Sequence, residues 1–590
     1  MRRVVKVLPE GRDLKAMPGE LLSDVLEKAG LPLSLYCGRR GLCGKCRVEI
    51  VRGAIPEADE FERNLMARGS LPESQRLACR FHIESDLSVR VPAGSRILQM
   101  PVLSRGTGRS VGLAPAIKKI RFALARPDLV SADSVLDSIH LQFPGIAPRG
   151  PSLETARRLS RLALAEKMPA AEMTAVIYAD AEWLDIEPGD TTARNYGLAI
   201  DLGTTTVVIE LLDLNSGTSL GVVTGLNAQV RFGADVVSRI TAAYMDAGKL
   251  EELRSFAVAG LNAMIGPLLA EHRVPSDAVY ETVLAGNTAM NHLFLGLSVA
   301  TLAVAPYHAV FSVLPALPAA ETGLAVNPLG KVYVAPNIKS FVGGDIAAGL
   351  AAVGMDRLKG NFLFVDLGTN GELVVKKENR LTTTSTAAGP AFEGMAISCG
   401  MLALPGAVYR ARYEKKLRLE TIGGLPPRGV CGTGLIDLVA GALDKGLVSS
   451  RGNILNPSRT IAVAKDVSLT QKDIREIQLA VAAIKTGVRM LLAKNRMTTK
   501  DLDGIYVAGA FGTELDTDNA VKLGLLPRFN RRKIHFVGNT SLAGAKALLL
   551  SLSERKRCEK MAQKVRHISL AKGGEFQAAF VEALEFKAWS

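Results

Sequence analysis

The sequence predicts a multidomain α/β protein, and three observations carry that prediction. The chain has 590 residues, which is enough for roughly three or four domains with hydrophobic cores of their own. Three of its seven cysteines lie in the Gly-rich stretch SLYCGRRGLCGKCRVEI, residues 34–50. A strand–turn–strand pattern around Asp-Leu-Gly-Thr reaches its turn at Asp201 and again at Asp366. Such an internal repeat indicates two similar lobes.

The composition is typical of a globular protein in a reducing compartment. Hydrophobic residues make up 48% of the chain and charged residues 22%. No uninterrupted apolar run reaches the roughly 18 residues that span a bilayer, and the basic N-terminus lacks the apolar segment of a secretory signal. The cysteines are odd in number and clustered, unlike a disulfide framework. We therefore expect a cytoplasmic protein with no membrane association.

The formal net charge of +14 favours an acidic protein partner over nucleic acid. The positive residues are dispersed among acidic ones, with short clusters only in RFNRRKIHF and SERKRCEK. We find no helix-turn-helix pattern, zinc-finger spacing or basic segment interleaved with aromatic residues, which are the usual signs of a nucleic-acid site. We therefore expect no nucleic-acid partner.

Four cysteines have a spacing typical of an iron–sulfur site, C-x5-C-x2-C-x32-C. They are Cys37, Cys43, Cys46 and Cys79. A [2Fe–2S] cluster requires four thiolates, and the plant-type loop has the same arrangement with one residue fewer in its first spacer. The intervening glycines let the backbone wrap closely and turn N–H groups toward the sulfurs. A zinc site is the alternative, but zinc knuckles usually combine two close pairs, whereas the last cysteine stands alone.

The segments around these cysteines predict the layout of a β-grasp ferredoxin. RRVVKVLP, CRVEIVRG and DLSVRVPAG read as strands, and GELLSDVLEKAG reads as an amphipathic helix. The longer first spacer resembles the adrenodoxin and putidaredoxin branch. We therefore expect residues 1–94 to form a [2Fe–2S] domain that carries single electrons. The isolated Cys399, Cys431 and Cys558 are expected to be small buried hydrophobes.

Two segments of less specific character follow. Residues 95–113 are rich in Gly, Ser and Pro with little periodicity, which predicts a linker. Residues 114–193 contain the helical pattern SLETARRLSRLALAEK between shorter apolar stretches. We expect a small α+β middle domain there, with a role in dimerisation or docking.

Residues 194–590 carry the repeated turns and predict an ATP site. Each turn offers an Asp to a hydrated Mg²⁺, a Gly that admits a phosphate, and Thr hydroxyl and backbone donors to phosphate oxygens. The chain contains no G-x-x-x-x-G-K-[ST] sequence, so a nucleotide would be held by paired hairpins rather than by a P-loop. Three further stretches follow in order, SFVGGDIAAGLAAVGM, LDGIYVAGAFG and VGNTSLAGAKALLL. The ordered set resembles the actin, Hsp70 and sugar-kinase superfamily, which implies two ribonuclease-H-like lobes hinged around ATP.

Over nearly its whole length the chain resembles the reductive activators of corrinoid proteins. Matching stretches include QVRFGADVVSRI, LAGNTAMNHLFLGLSVATLAVAPYHAVF, STAAGPAFEGMAISCGM and GTGLIDLVAG. The resemblance implies ATP-dependent reduction of Co(II) corrinoid to the Co(I) that methyltransferases need. It also implies a homodimer, a corrinoid protein as partner and an upstream electron donor. ATP has a purpose in such a reaction, because each ~59 mV uphill costs about 1.4 kcal/mol for one electron.

The resemblance also implies roles at the matching positions. The four cysteines named above would ligate the iron, and Asp201 and Asp366 would hold Mg²⁺ through waters. Glu372 would position the attacking water or the metal, or would be a surface residue at a strand start. The remaining positions would surround the phosphates (Gly203, Thr204, Thr205, Gly368, Thr369, Asn370) and border the adenosine (Gly509, Gly512).

Several positions and functions remain open. The turn Gly432-Thr433-Gly434 would add to the adenosine wall or only begin a helix, and His292 and His308 are expected in the core or at the lobe interface. An activator of 2-hydroxyacyl-CoA dehydratases is a rival that would use Cys431 as a cluster ligand. A small-metabolite kinase with a fused redox sensor and a chaperone-like clamp are further alternatives. The kinase would need a pocket with a catalytic Asp, and the clamp a peptide-binding domain after the ATPase.

Overall fold

The computed structural model describes most of the chain. The described residues are 2–8, 11–29, 31, 33, 44–67, 71–92, 95, 108–124, 134–143, 150–163, 171–233, 235–509, 515–570 and 574–590. They form a five-stranded N-terminal sheet, a three-stranded sheet and two six-stranded sheets, with a further three-stranded and a two-stranded sheet in the second lobe. The predicted multidomain α/β class is confirmed.

The N-terminal domain is a five-stranded mixed sheet with its own core. Strand order is β2-β1-β5-β3-β4, and β1 runs parallel to β5. Alternation along β1 buries Val5 and Val7, as one half-buried face requires. The predicted ferredoxin strands and helix are confirmed. The elements are β1 (Arg3–Leu8), β2 (Arg12–Ala16), α1 (Leu22–Lys28), β3 (Arg47–Arg52), α2 (Glu60–Ala67), β4 (Gln75–Leu77) and β5 (Leu87–Arg90).

The segment predicted as a middle domain is an antiparallel sheet, β6-β7-β8, with two helices. One side has a small core in which Phe122 and Phe143 meet Trp183 edge-on. The other side contributes residues such as Val176 to the core of the following lobes. The domain boundaries expected from the sequence, residues 114–193, remain a prediction. Its elements are β6 (Ile117–Leu124), α3 (Val135–His140), α4 (Leu153–Ala163), β7 (Ala171–Tyr178) and β8 (Glu182–Pro188).

The first lobe is built on the sheet β11-β10-β9-β12-β14-β13. Strands β9, β10 and β11 form an antiparallel meander, and β12 and β14 run parallel to β9. Its elements are β9 (Tyr196–Leu202), β10 (Thr206–Asp213), β11 (Ser219–Leu226), α5 (Val236–Met245), α6 (Ala247–Glu271), β12 (Val279–Gly286), α7 (Thr288–Leu295), α8 (Ala300–Ala303), β13 (Leu317–Pro318), α9 (Ala319–Thr322), β14 (Lys331–Val334) and α10 (Gly344–Val353).

The second lobe repeats this arrangement in the sheet β24-β23-β15-β16-β17-β25. An antiparallel meander is again joined at its first strand by parallel strands. The elements are β15 (Phe362–Leu367), β16 (Gly371–Lys377), β17 (Arg380–Thr386), β18 (Ala407–Tyr413), β19 (Leu417–Thr421), β20 (Gly429–Val430), α11 (Gly432–Asp444), β21 (Thr460–Ala464), β22 (Val467–Thr470), α12 (Gln471–Lys494), β23 (Gly504–Gly509), α13 (Thr517–Leu523), β24 (Ile534–Gly538), α14 (Thr540–Leu550), α15 (Leu552–Lys564), β25 (Arg566–His567) and α16 (Glu575–Ala583).

Helices α10 and α14 pack directly against each other between the two sheets. A Cβ placed on Gly544 would lie 2.1 Å from the Ala348 carbonyl oxygen, and one on Gly349 would lie 2.7 Å from Thr540 Oγ1. Only glycine permits such close approach of two helix backbones. These two helices are formed by the stretches SFVGGDIAAGLAAVGM and VGNTSLAGAKALLL, whose order contributed to the superfamily resemblance.

Helix α6 is long and apolar enough to cross a membrane, although no uninterrupted apolar run reaches that length. Among the residues that the structure describes, it is the one helix that meets this criterion. Residues Leu253, Leu261 and Ile265 on one of its faces belong to the core of the first lobe. One face of this helix is therefore packed inside that lobe.

Candidate functional site

A cavity of about 230 Å³ lies where the two hairpin turns face each other. The turn between β9 and β10 supplies one wall, and the turn between β15 and β16 supplies the other. All ten described positions that were predicted for the ATP site line this cavity: Asp201, Gly203, Thr204, Thr205, Asp366, Gly368, Thr369, Asn370, Glu372 and Gly509. The eleventh position, Gly512, lies outside the described residues.

The first aspartate is held in place by two residues at the start of α14. Asp201 accepts hydrogen bonds of 2.7 Å from Asn539 Nδ2 and from Ser541 Oγ. Asn539 also caps α14, because its Oδ1 accepts from the Leu542 N–H. Burial raises the pKa of Asp201, and the two hydrogen bonds oppose that rise. The carboxylate is thus fixed at the N-terminus of the helix that joins the lobes.

The second aspartate has a different environment. Among the described residues none donates a hydrogen bond to the Asp366 carboxylate. Burial, followed by the nearby Asp345 and Asp201, raises its pKa to about 8. Gly509 packs beside it, since a Cβ there would lie 2.4 Å from the Leu367 carbonyl oxygen. This glycine has a φ of +108°, which side-chain-bearing residues rarely adopt.

Two more carboxylates complete an acidic cluster. Glu372 lies opposite Asp366 in the β15–β16 register and is buried, so the interpretation as a surface residue is wrong. Asp345 lies in the first turn of α10, and burial together with Asp201 raises its pKa to about 7. Burial raises the pKa of Glu372 as well, with Asp345 and Asp366 adding to it.

The donor set of this cluster fits a hard divalent cation. Carboxylate oxygens and waters are the ligands that Mg²⁺ prefers, and Asp366 offers a partly buried carboxylate that accepts no hydrogen bond from a described side chain. Within the described residues no three acidic, His or Cys side chains are arranged to ligate one ion together. An ion here would therefore be held largely through waters.

A partly buried glutamate that the sequence did not predict links the two turns. Glu393 accepts a hydrogen bond from Thr205 Oγ1 at 3.1 Å. The Thr369 hydroxyl lies 2.8 and 2.7 Å from the two oxygens of the same carboxylate. Burial raises the pKa of Glu393, against the lowering effect of the two threonines. One carboxylate therefore connects the first lobe to the second across the cavity.

Asparagines in two equivalent positions also support the first hairpin. Asn287 caps α7 with its Oδ1 and donates from Nδ2 to Thr204 Oγ1 at 2.9 Å, as Asn539 caps α14 and donates to Asp201. Each asparagine lies in a Gly-Asn-Thr sequence that follows a strand and opens a helix, at 286–288 and 538–540. This second internal repeat was the signal that would have identified both asparagines.

The structure describes half of the predicted cysteine site. Cys46 and Cys79 are buried, at 1% and 5% exposure. The Ala78 N–H donates to the Cys46 carbonyl at 2.8 Å, which brings the two cysteines onto neighbouring strand ends. Cys37 and Cys43 lie outside the described residues. Two buried thiols at the edge of the sheet fit one side of a [2Fe–2S] site.

The other cysteines and the Gly432 turn have structural roles. Cys431 and Cys558 are buried and donate to the carbonyls of Val408 and Ala347 at 3.4 Å, while Cys399 is partly exposed rather than buried. The turn at Gly432 begins α11 and is absent from the residues that line the cavity. Cys431 therefore has the environment of a packing residue and not of a cluster ligand.

The two histidines differ in their burial. His292 is fully buried, stacks on Phe311 and accepts the Val310 N–H at Nε2, so it is a core residue as predicted. His308 is exposed, and the prediction of a buried position is wrong. The reason is local, because the apolar residues around it in the sequence belong to an exposed turn after α8.

Three family models match successive parts of the chain. A 2Fe-2S iron-sulfur cluster binding domain matches residues 5–84, a RACo middle region matches 196–358, and the C-terminal domain of RACo, the ASKHA domain, matches 360–589. The family's middle region thus corresponds to the first lobe described above. The second lobe corresponds to its ASKHA domain.

Relatives and a solved structure cover nearly the whole chain. Corrinoid activation enzyme RamQ of Eubacterium limosum is 31% identical over 98% of both chains. The [Co(II) methylated amine-specific corrinoid protein] reductase of Methanosarcina barkeri is 27% identical over 66% of this chain and 77% of its own. A solved reductive activator for corrinoid, iron-sulfur protein superposes with a TM-score of 0.75 at 32% identity, covering 99% of this chain and 98% of its own. The chain belongs to the family of reductive activators of corrinoid proteins.

Proposed function

We propose that this protein uses ATP to drive the one-electron reduction of a Co(II) corrinoid protein to the Co(I) state that methyl transfer needs. The observation that carries the proposal is the fusion itself. One chain joins a [2Fe–2S]-type domain to a two-hairpin cleft. A relative that is named for corrinoid activation matches this chain over 98% of both lengths.

The cysteine domain would provide the route for the electron. When bound, the cluster supplies a carrier that gives up a single electron, and the corrinoid cobalt takes up that electron. Cys46 and Cys79, with Cys37 and Cys43 as predicted partners, would hold the cluster. The burial of the two described sulfurs keeps water away from one side, which affects cluster potential.

The cleft would bind Mg-ATP between the two turns. We propose that Asp366, Asp201 and Asp345 bind the waters of Mg²⁺. The turn residues at 203–205 and 368–370 would surround the phosphates, and Glu372 would orient the attacking water. The arrangement supports this assignment because Mg²⁺ and its waters would bring counter-charge and hydrogen-bond donors to the acidic cavity, while the phosphates would accept hydrogen bonds from the turn residues.

We also propose that the protein is a homodimer that takes electrons from a separate donor protein. Both are what the resemblance to the reductive activators implies. The oligomeric state is measured by light scattering on the purified protein. A mass near twice the 62.8 kDa of one chain is expected, and a mass of one chain would contradict this part of the proposal.

An anaerobic optical experiment tests the function. Reduced protein is mixed with a corrinoid protein in the Co(II) state, and spectra are recorded with and without Mg-ATP. We expect the Co(I) band to grow with ATP, to be lost in Cys79→Ser and to fall strongly in Asp366→Asn. Cys558→Ala is the matched control, because it removes a buried thiol far in sequence from the cluster loop and should leave the Co(I) yield unchanged. Absence of Co(I) from a panel of corrinoid proteins, with cluster and ATP hydrolysis intact, would refute the proposal.

A further inference from the structure

The loop of residues 393–404, here called the docking loop, connects the cleft to the N-terminal domain. It begins at Glu393, which bonds to both hairpin turns, and it ends at Leu402–Leu404, which also line the cavity. Its middle part, Ile397 to Gly400, instead contacts the domain that carries the cysteines. Both ends of one short loop thus face the cleft while its tip faces the other domain.

The contact at the tip is a lysine held by three carbonyl oxygens. Lys45 Nζ donates to the carbonyls of Ile397 at 2.8 Å, Ser398 at 2.8 Å and Gly400 at 3.2 Å. An ammonium group has three donors, so the three carbonyls can satisfy all of them at once. Lys45 immediately precedes Cys46, a predicted cluster ligand, and the contact therefore fixes the cysteine edge of the N-terminal domain.

The contact at the cleft end conflicts with a bound nucleotide. Each threonine hydroxyl carries a single proton, and in this structure Thr205 and Thr369 direct theirs to Glu393. A phosphate between the turns would need the same protons, and it is an anion that repels the carboxylate at close range. Phosphate and Glu393 therefore compete for the two threonines, and a bound phosphate displaces Glu393.

We propose that nucleotide binding in the cleft displaces Glu393 and, through the docking loop, loosens the hold on Lys45, so that nucleotide releases the N-terminal domain from the second lobe. This inference rests on the proposed binding of nucleotide in the cleft. It adds a link between that site and the position of the electron-carrying domain.

The loop is built to transmit such a displacement. Its two glycines pack closely against each other, since a Cβ on Gly400 would lie 2.3 Å from the Gly394 carbonyl oxygen. The two halves of the loop are therefore in direct backbone contact. Asp473, at the start of α12, bonds to the backbone N–H and the hydroxyl of Ser398. With that point fixed, a movement of Glu393 turns the loop about Ser398 and misaligns the neighbouring carbonyls.

The N-terminal domain also touches the first lobe. Glu27 Oε2 on α1 lies 4.0 Å from Arg231 of that lobe, while Lys45 bonds to the second. A body that contacts both lobes resists their relative movement. Its release would therefore accompany any rearrangement of the lobes around a nucleotide.

Nucleotide affinity of the cluster-loaded protein tests the proposal. Coupling is reciprocal, so removing the Lys45 contact must favour the nucleotide. We expect Lys45→Met to bind a non-hydrolysable ATP analogue at least about 5-fold more tightly than the wild type, the low end of common couplings. The measurement is isothermal titration calorimetry, with the cluster spectrum checked first. Equal or weaker affinity in Lys45→Met overturns the inference, whereas no binding to the wild type overturns the proposed function instead.

A matched control and a double mutant locate the coupling in the docking loop. Lys28→Met removes the same charge from the same domain, but Lys28 pairs with Glu20 inside it, so its affinity should equal that of the wild type. Glu393→Ala removes the hydrogen bonds between the docking loop and the two turns. Adding Lys45→Met to this variant should then change the nucleotide affinity by less than 2-fold. That difference is within the roughly 0.3–0.5 kcal/mol by which uncoupled sites depart from additivity. A full Lys45→Met effect in that background refutes the route through Glu393.

Hydrogen exchange gives a direct readout of release. Amides of peptides that span 44–52 and 394–406 should exchange faster when the analogue is added to the wild type. In Lys45→Met the same amides should exchange fast even without the analogue. Protection of both peptides by the analogue would contradict the proposal.

Discussion

The two hairpins share the sequence Asp-Leu-Gly-Thr at their turns and differ in what surrounds their aspartates. Asp201 accepts two hydrogen bonds of 2.7 Å from Asn539 and Ser541. Asp366 accepts none from the described residues, and burial with two nearby carboxylates raises its pKa to about 8. The first aspartate is satisfied by the protein, and the second is left for whatever enters the cleft. A sequence repeat thus predicts a common geometry without a common role.

The largest expected effects come from neutralising each aspartate in turn. Asp366→Asn should lower Mg-ATP hydrolysis by about 100-fold, the loss typical of removing one preorganised electrostatic group. The same change should raise the apparent melting temperature without nucleotide, because it removes an acidic group whose charge is disfavoured by burial and by the nearby Asp345 and Asp201. Asp201→Asn should lower that temperature, because it weakens two charge-assisted hydrogen bonds. Hydrolysis assays and thermal unfolding of both variants measure these effects. Melting temperatures that shift in the same direction in both variants would contradict the proposed difference between the two aspartates.

The two turn glycines should separate folding from binding. A Cβ on Gly203 would lie 2.6 Å from the Thr206 carbonyl oxygen, whereas one on Gly368 meets nothing closer than Asn370 O at 3.5 Å. We expect Gly203→Ala to cost about 1–3 kcal/mol of stability and Gly368→Ala less than about 0.5 kcal/mol. Gly368→Ala should weaken nucleotide binding all the same, since its Cβ projects where a phosphate is predicted. Denaturant unfolding and calorimetry distinguish the two, and equal stability losses would contradict the difference in packing.

The smallest effects concern single hydroxyl donors. Ser541→Ala removes one of the two donors to Asp201 and should cost about 1 kcal/mol, seen as an approximately 5-fold weaker affinity for Mg-ATP. Ser385→Ala is the matched control in the second lobe, because its hydroxyl lies 3.4 Å from Glu372 Oε1, beyond the usual range of such bonds. It should change the affinity by less than 2-fold, about 0.4 kcal/mol. Identical losses in the two variants would show that the donors to Asp201 have no special role.

Local sequence was sufficient for the parts of the site that are continuous in the chain. Each hairpin is a strand, a turn and a strand, so Asp201, Thr205, Asp366 and Glu372 could be placed from spacing alone. The ferredoxin layout followed in the same way from period-two alternation and one amphipathic helix. The cavity then contains these side chains because the two meanders have the same topology and face each other.

What spacing could not predict comes from distant segments. Asn539 and Ser541 reach Asp201 from more than 330 positions away, and Asp345 approaches only because α10 packs on α14. Glu393 is the clearest case, since it lies on an irregular loop with no periodicity and becomes significant only when two lobes meet around it. His308 shows the reverse error, in which apolar neighbours in sequence were taken for apolar neighbours in space.

The separate core of the N-terminal sheet has a consequence for how such a protein can be recombined. Among the residues that the structure describes, the buried apolar residues of this core lie between Val5 and Val91, and the hydrogen bonds to the second lobe named above come from Lys45. The three-stranded sheet that follows instead shares a core with the lobes. The electron carrier is therefore an exchangeable module, which could be replaced by one of different potential that retains a lysine at the docking position. The sheet β6-β7-β8, in contrast, is an integral part of the two-lobed body that this domain contacts.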